Sequence, residues 1–197
     1  ISCWNALAAR KRLAGADAAW TQTQIRQACK QFAEVIGHAP ATHGAAGWQM
    51  NRAAFRLLER QGMAYCSDTY GSGPFWPMVA GEPVRCVQLP TTLPLLDTLA
   101  AESDNKLDVG VTKLLATTEA EQRYGHVFTL RADLEGLAWL PYLERLIDGW
   151  QAQGYRLIAL RDLHAVLDLG ALPYHAVDLP AVDSQKICTR QGENYPA

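Results

Sequence analysis

Two polar stretches of the sequence could do acid–base or binding chemistry. Asp68 ends an apolar run, and Arg131 lies two residues before Asp133 and four before Glu135. A carboxylate can orient a water or a sugar hydroxyl, whereas an arginine is a fixed cation that suits phosphate or carboxylate. Each residue also has an ordinary interpretation. Asp68 is typical of a turn-capping residue before residues 69–71, and Arg131 could simply neutralise Asp68, Asp133 or Glu135.

The histidines and cysteines do not form a recognisable metal motif. The five histidines show no H-E-x-x-H or H-x-x-x-H spacing, and the five cysteines contain no C-x-x-C pair. His43, before the small-residue loop at 44–47, is typical of a structural hydrogen bond rather than a ligand. Cys66 has no histidine placed by sequence to activate it, so we expect a buried, reduced thiol. This pattern predicts no metal site.

Three aromatic residues could contact a ligand or a lipid surface. Trp48 follows the loop at 44–47, and core packing is the alternative for it. Phe75 and Trp76 stand between Pro74 and Pro77, where two large rings are hard to bury in a helix or strand. Rings with a polar edge suit both sugar faces and membrane interfaces. We therefore predict peripheral membrane contact through Phe75 and Trp76.

The composition excludes several classes of protein. The chain has 197 residues, 49% of them hydrophobic, and a net charge of -2. This is typical of one soluble globular domain and does not provide the basic surface that a general nucleic-acid binder needs. No run reaches the roughly 18 apolar residues of a spanning helix, and the first residues do not resemble a signal peptide.

Strands and helices alternate along the chain. Helices are predicted over residues 21–36, 49–60, 93–101, 140–153 and 162–167. Strands are predicted over residues 38–43, 63–68, 84–89, 127–132 and 155–160. This order predicts an α/β fold with a parallel sheet or barrel over residues 1–172, followed by an irregular C-terminal tail, 173–197. Functional groups would then collect at strand ends, near residues 43–48, 67–68 and 131–135.

Four blocks of sequence occur in an order typical of a known family. They are Gly37-His38-Ala39-Pro40-Ala41-Thr42-His43-Gly44-Ala45-Ala46-Gly47-Trp48, Tyr65-Cys66-Ser67-Asp68-Thr69, Gln88-Leu89-Pro90-Thr91-Thr92-Leu93-Pro94, and Phe128-Thr129-Leu130 with Ala132-Asp133-Leu134-Glu135-Gly136. The chain resembles the polysaccharide-deacetylase superfamily over about residues 4–167. Within it, the blocks are most similar to the deformylases of undecaprenyl-phosphate-linked 4-deoxy-4-formamido-L-arabinose.

The resemblance implies a fold, a reaction and a substrate. The fold would be a distorted (β/α) barrel in which an aspartate and the two histidines of an H-x-x-x-H motif hold a divalent, zinc-like metal. That metal would polarise an amide carbonyl and activate water, with an aspartate as general base and a histidine on a late strand as general acid. The partner would be a polyprenyl-phosphate-linked amino sugar used in lipid A modification and polymyxin resistance. The location would be the bacterial inner membrane surface or the cytoplasm.

The sequence departs from the family at these working positions. Ser2 and Ala6 stand where the two metal-binding histidines are expected, and Arg131 stands where the acid histidine is expected. The first-strand aspartate would lie before Ile1, so we expect an N-terminally incomplete barrel. Tyr70 also replaces the usual arginine after Asp68. We therefore expect no bound metal and an impaired or inactive hydrolase.

Three hypotheses remain open from the sequence. The chain could be a working amide hydrolase, or a catalytically silent module that binds a lipid-linked sugar or a protein partner. It could also be a piece of a longer protein. For binding, the candidate contacts are Trp48, Asp68, Arg131 and Glu135, and Asp68 with Arg131 are the candidates for any catalytic role.

Overall fold

The chain folds into two compact units with helices and short strands. The computed structural model describes residues 13, 15–179 and 188–195. One unit is Ile1–Pro90 with Leu167–Ala197, and the other is Thr91–Val166. The first contains all the described strands, and the second is helical in its regular elements. The predicted α/β class is confirmed for the described part of the chain.

Two helices of the first unit begin at side-chain caps. Helix α1, Ala18–Ile36, begins at Asp17, whose carboxylate accepts a bond from the Trp20 amide, and ends at Gly37 with a φ of 88°. The predicted end of this helix at residue 36 is confirmed. The predicted start at residue 21 is too late, because the Asp17 cap begins the helix at Ala18. Helix α2, Arg52–Arg60, begins at Asn51, whose side chain accepts from the Ala54 amide.

The first unit contains two sheets. Strands β1, Thr42–His43, and β2, Tyr65–Cys66, are parallel neighbours. Strands β3, Trp76–Val79, and β4, Glu82–Pro83, belong to the second sheet. Gln88 pairs with both Cys66 and Phe75 through isolated bridges, and this is the pairing formed by the predicted strand 84–89. Short 3₁₀ turns lie at Ala46–Trp48 and Leu169–Ala171.

The described residues of the predicted irregular tail, 173–179 and 188–195, contain two strands. Strands β5, Tyr174–Asp178, and β6, Arg190–Tyr195, complete the second sheet in the order β4-β3-β5-β6. Strand β3 runs parallel to β5, and the other two pairings are antiparallel. Main-chain pairing with a strand about a hundred residues earlier orders a segment whose own composition lacks a strong strand pattern.

The second unit packs four helices. They are α3, Leu96–Ala101, α4, Leu107–Thr117, α5, Leu140–Ala152, and α6, Leu160–Val166. Helix α4 was not predicted from the sequence. The helix predicted over 140–153 is confirmed. The core of this unit comprises Leu93, Leu96, Leu99, Val111, Leu114, Leu146 and Trp150.

Two strands predicted in the second unit do not form. Residues 127–132 and 155–160 contain no strand, and Leu130, Leu157 and Ile158 are each about half exposed. Their apolar runs predicted burial in a sheet. Here no described strand pairs with them, so the side chains remain partly in solvent.

The first unit has its own hydrophobic core. Its buried apolar side chains come from α1, α2 and the strand segments, and include Ile25, Met50, Phe55, Leu58 and Cys66. Within the described ranges, no helix combines the length and the hydrophobicity needed to traverse a bilayer.

Candidate functional site

The parallel pairing of β1 with β2 brings two chemically active residues side by side. His43 and Cys66 are register partners, and the Ser67 amide donates to the His43 carbonyl at 2.8 Å. Neighbours in register on parallel strands project toward the same face. The two strand ends predicted at 43–48 and 67–68 therefore meet at one place.

Asp68 lies at the centre of this site and is fully buried. Its Oδ1 accepts from His43 Nδ1 at 2.7 Å and from the Ala45 amide at 2.8 Å. Its own amide donates to Gln88 Oε1 at 3.0 Å. These bonds hold the start of the loop at 44–48 against the end of β2. Asp68 therefore connects two segments of the chain, whereas a turn-capping aspartate would bond only within its own turn.

Several polar atoms around Asp68 are buried with unused hydrogen-bonding capacity. Among the described residues, Asp68 Oδ2, Thr69 Oγ1 and Gln88 Nε2 have no hydrogen-bond partner. A buried carboxylate oxygen without a donor carries an uncompensated desolvation cost. The site is therefore able to accept a further donor or a cation.

Two thiols lie behind the histidine–aspartate pair. Cys66 Sγ and Cys86 Sγ are both buried and 3.0 Å apart, and neither forms a disulfide. The hydrogen bond to Cys86, burial and the Asp68 carboxylate raise the pKa of the Cys66 thiol well above its usual value. The free thiol thus stays protonated at neutral pH and is a poor nucleophile, in line with the expected buried, reduced cysteine.

Trp48 forms an aromatic pair beside the loop. Its ring lies 4.2 Å from that of Tyr70, centroid to centroid, and its backbone has a φ of 52°. Thr189 fixes this arrangement, because its amide donates to the Trp48 carbonyl and its carbonyl accepts from the Tyr70 amide. Trp48 is half-buried, so part of its surface packs against the protein and part remains accessible to solvent.

Arg131 lies in the second unit and is held by two carboxylates. Its Nη1 donates to Asp97 Oδ2 at 3.1 Å and its Nη2 to Asp133 Oδ2 at 2.9 Å. The bond to Asp133 raises the pKa of Arg131, so it is a permanent cation. The predicted neutralisation by Asp133 is confirmed, and Asp97 is a partner that the sequence did not indicate.

Glu135 and Asp133 do not share a face. Residues 132–139 form successive turns rather than an extended segment. Glu135 is buried, and its Oε2 accepts from the Arg131 amide at 2.8 Å, whereas the Asp133 side chain is 68% exposed. The turns direct the two carboxylates to different environments.

The predicted membrane contact through Phe75 and Trp76 is wrong for Phe75, because this ring is not accessible at the surface. That ring is fully buried and meets His175 edge to face at 5.6 Å between centroids. Trp76 begins β3, is half-buried, and its Nε1 donates to the Leu169 carbonyl at 2.9 Å. Neighbouring prolines do not prevent burial here, since β3 accommodates Pro77 within its short span.

The predicted site residues fall into three groups. Asp68 and Trp48 belong to the first unit, near His43 and Cys66, and Arg131 and Glu135 belong to the second. Ser2 and Ala6 lie outside the described residues. The sequence did not indicate the contact between Cys66 and Cys86, because a spacing of twenty residues carries no motif. The pairing of His43 with Asp68 was not predicted, although each residue ends a predicted strand.

Comparison with curated proteins and with solved structures finds proteins that are similar to this chain. The chain is 26% identical over 132 residues to the "Probable 4-deoxy-4-formamido-L-arabinose-phosphoundecaprenol deformylase" of Wigglesworthia glossinidia brevipalpis. That alignment covers 66% of this chain and 45% of the relative. The crystal structure of a "putative polysaccharide deacetylase" from Mycobacterium smegmatis matches 81% of this chain and 60% of its own, with a TM-score of 0.55 and 18% identity. No family model matches the chain.

These similarities show which known proteins this chain resembles in sequence and in fold. The described residues have an α/β fold of the polysaccharide-deacetylase type, and the resemblance to that superfamily is confirmed. Within the superfamily, the sequence similarity is to a deformylase. The chain spans about half the length of that curated relative.

Proposed function

We propose that this chain is a sugar-binding member of the deformylase and deacetylase class that does not hydrolyse an amide by itself. Its ligand would be a polyprenyl-phosphate-linked formamido sugar. The observation that carries the proposal is the 132-residue similarity to a deformylase, combined with different residues at the catalytic positions of the superfamily. A lipid-linked ligand would bring the chain to the inner surface of a bacterial membrane, and its sheets would form part of a distorted (β/α) barrel.

The residues at the metal positions do not fit the family's metal. Ser2 and Ala6 stand at the positions of the two histidines, and alanine has no ligand atom while a neutral serine hydroxyl is a poor ligand for a zinc-like ion. Arg131 at the acid position cannot release a proton near neutral pH. We therefore assign no hydrolytic step to these positions.

The polar residues of the first unit are better suited to recognition. Asp68 is a positioning residue, since its bonds to His43 and Ala45 hold the loop that ends at Trp48. The Trp48–Tyr70 pair offers an aromatic surface of the kind that packs against sugar rings. This arrangement supports binding of a sugar without requiring proton transfer.

In the second unit, considered by itself, Arg131 is the candidate for binding a phosphate group. Its side chain is 33% exposed, and its partner Asp133 is 68% exposed, so an anion could replace that carboxylate at modest cost. Buried Glu135 holds the Arg131 main chain and would keep the guanidinium in place during the exchange. The role predicted here is anion binding through the guanidinium fork.

Binding to two ligands tests the proposal. The affinity of the chain for undecaprenyl-phosphate-linked formamido-arabinose and for the free formamido sugar would be measured by calorimetry in detergent. We expect Arg131→Ala to weaken the phosphate-bearing ligand about tenfold, roughly the value of one charge-assisted contact, and to leave the free sugar unchanged.

A matched control separates this role from general charge effects. Arg161 lies in the same unit, is 82% exposed and pairs with the adjacent Asp162. Arg161→Ala should leave both affinities unchanged. No measurable binding of the lipid-linked sugar, or equal losses in the two arginine variants, would refute the proposed recognition.

A further inference from the structure

A cluster of three side chains in the first unit has the composition of a metal site. His43, Cys66 and Asp68 each offer a ligand atom, and these atoms all lie within 4.8 Å of one another. The parallel register of β1 and β2 places His43 beside Cys66, and Asp68 follows two residues later. The backbone thus brings the three groups together, and the cluster does not depend on long, mobile side chains.

The donor set favours one chemical class of cation. An imidazole nitrogen, a thiolate sulfur and a carboxylate oxygen are the ligands that zinc uses in proteins. Magnesium and calcium prefer oxygen ligands alone, so the thiol argues against them. The cluster differs from the family's metal positions, which are Ser2 and Ala6 in this chain.

The electrostatics of the cluster also favour a cation. The Asp68 side chain is fully buried, and its Oδ2 has no hydrogen-bond partner among the described residues. In the part of the chain that the structure describes, its ion-pair partner is His43, whose side chain is 10% exposed. A buried carboxylate with an unpaired oxygen is costly, and a dication would satisfy that oxygen.

Binding of a cation by Cys66 would release one proton, because coordination deprotonates a thiol outright. The proton would leave to solvent, and the imidazole of His43 would coordinate through a nitrogen that carries no proton.

We propose that His43, Cys66 and Asp68 bind a thiophilic divalent cation of the zinc class. Cys66 and Asp68 are fully buried, and the cation would link the end of β1 to the end of β2. It goes beyond the proposed sugar recognition and does not depend on it. A failure of sugar binding would leave this site untouched.

The test uses the metal alone as the probe. The full chain would be stripped with a chelator and titrated with Zn²⁺ by calorimetry and with Co²⁺ by absorption spectroscopy. We expect one cation per chain with a dissociation constant below micromolar, and a cobalt–thiolate charge-transfer band in the near ultraviolet. Neither readout depends on activity.

Variants assign the binding to these residues. Cys66→Ser should abolish the charge-transfer band, and His43→Gln should weaken Zn²⁺ binding at least tenfold. Cys29→Ser is the matched control, because Cys29 is a half-buried cysteine of the same unit that lies outside the cluster. It should bind both cations like the unmodified chain.

His43→Gln keeps the proposal testable if Cys66→Ser fails to fold. The glutamine amide can still donate to Asp68 Oδ1, so the local hydrogen bond is retained while a strong ligand is lost. Circular dichroism would verify the fold of each variant. Absence of Zn²⁺ binding to the stripped chain, a band that persists in Cys66→Ser, or equal loss in Cys29→Ser would overturn the proposal.

Discussion

At the scale of single residues, the buried carboxylate of Asp68 connects two strand ends. It accepts from His43 and from the Ala45 amide, and its amide bonds to Gln88. Its position after a predicted strand made it a candidate from the sequence, but the sequence could not show its partners. Contacts between residues 43 and 68 depend on strand register, which is set by the folded chain.

Replacing Asp68 with alanine should destabilise the first unit strongly. The change leaves the Ala45 amide and the His43 ring without their acceptor in a buried place, so we expect a loss of about 3 kcal/mol in the free energy of unfolding. Urea unfolding with a chelator present would measure it.

The control for Asp68→Ala is Glu34→Ala. Glu34 lies on the exposed face of helix α1 and pairs with Lys30 at 3.7 Å, and both side chains are mostly in solvent. Its removal should change the stability by no more than about 0.5 kcal/mol. Similar losses in the two variants would show that the bonds of Asp68 contribute little.

At the scale of elements, Asn51 joins the starts of two helices. Its side-chain oxygen caps α2 by accepting from the Ala54 amide at 2.9 Å. Its amide group donates to the Leu13 carbonyl at 2.7 Å and to Thr21 Oγ1 at 2.9 Å, which lies in the first turn of α1. One side chain therefore fixes the position of both helix starts.

Asn51→Ala should cost more stability than removal of an ordinary cap. The variant loses the α2 cap and leaves buried acceptors at Leu13 and Thr21 with one donor fewer, so we expect a loss of about 2–4 kcal/mol. Asp17→Ala removes the α1 cap, a single exposed bond to the Trp20 amide, and should cost about 1 kcal/mol. Chemical denaturation of the two variants compares them, and equal losses would contradict the joint role of Asn51.

Local sequence patterns predicted some elements and missed others for physical reasons. Helices α1, α2 and α5 have apolar periodicity and clear ends, and the sequence predicted them. Strands β5 and β6 were missed because their order comes from pairing with β3, which is distant along the chain. The apolar run at 127–132 predicted a strand, but an extended segment becomes a strand only when a neighbour supplies its hydrogen bonds.

At the scale of the whole molecule, the described residues have a fold similar to that of a polysaccharide deacetylase. The similarity to a deformylase covers 132 residues, while Ser2, Ala6 and Arg131 stand where the superfamily resemblance implies histidines. The predicted Asp68 and His43 instead form a buried pair next to Cys66. Our proposal of sugar recognition without hydrolysis rests on this combination.

The most direct test is formate release from undecaprenyl-phosphate-linked formamido-arabinose. The full chain would be incubated with this substrate, with and without added Zn²⁺ or Co²⁺, and formate would be measured against a control without protein. Binding of the same ligand would be recorded in parallel. We predict saturable binding of the ligand and no formate above the control. Metal-dependent formate release would contradict this prediction and identify the chain as a working deformylase.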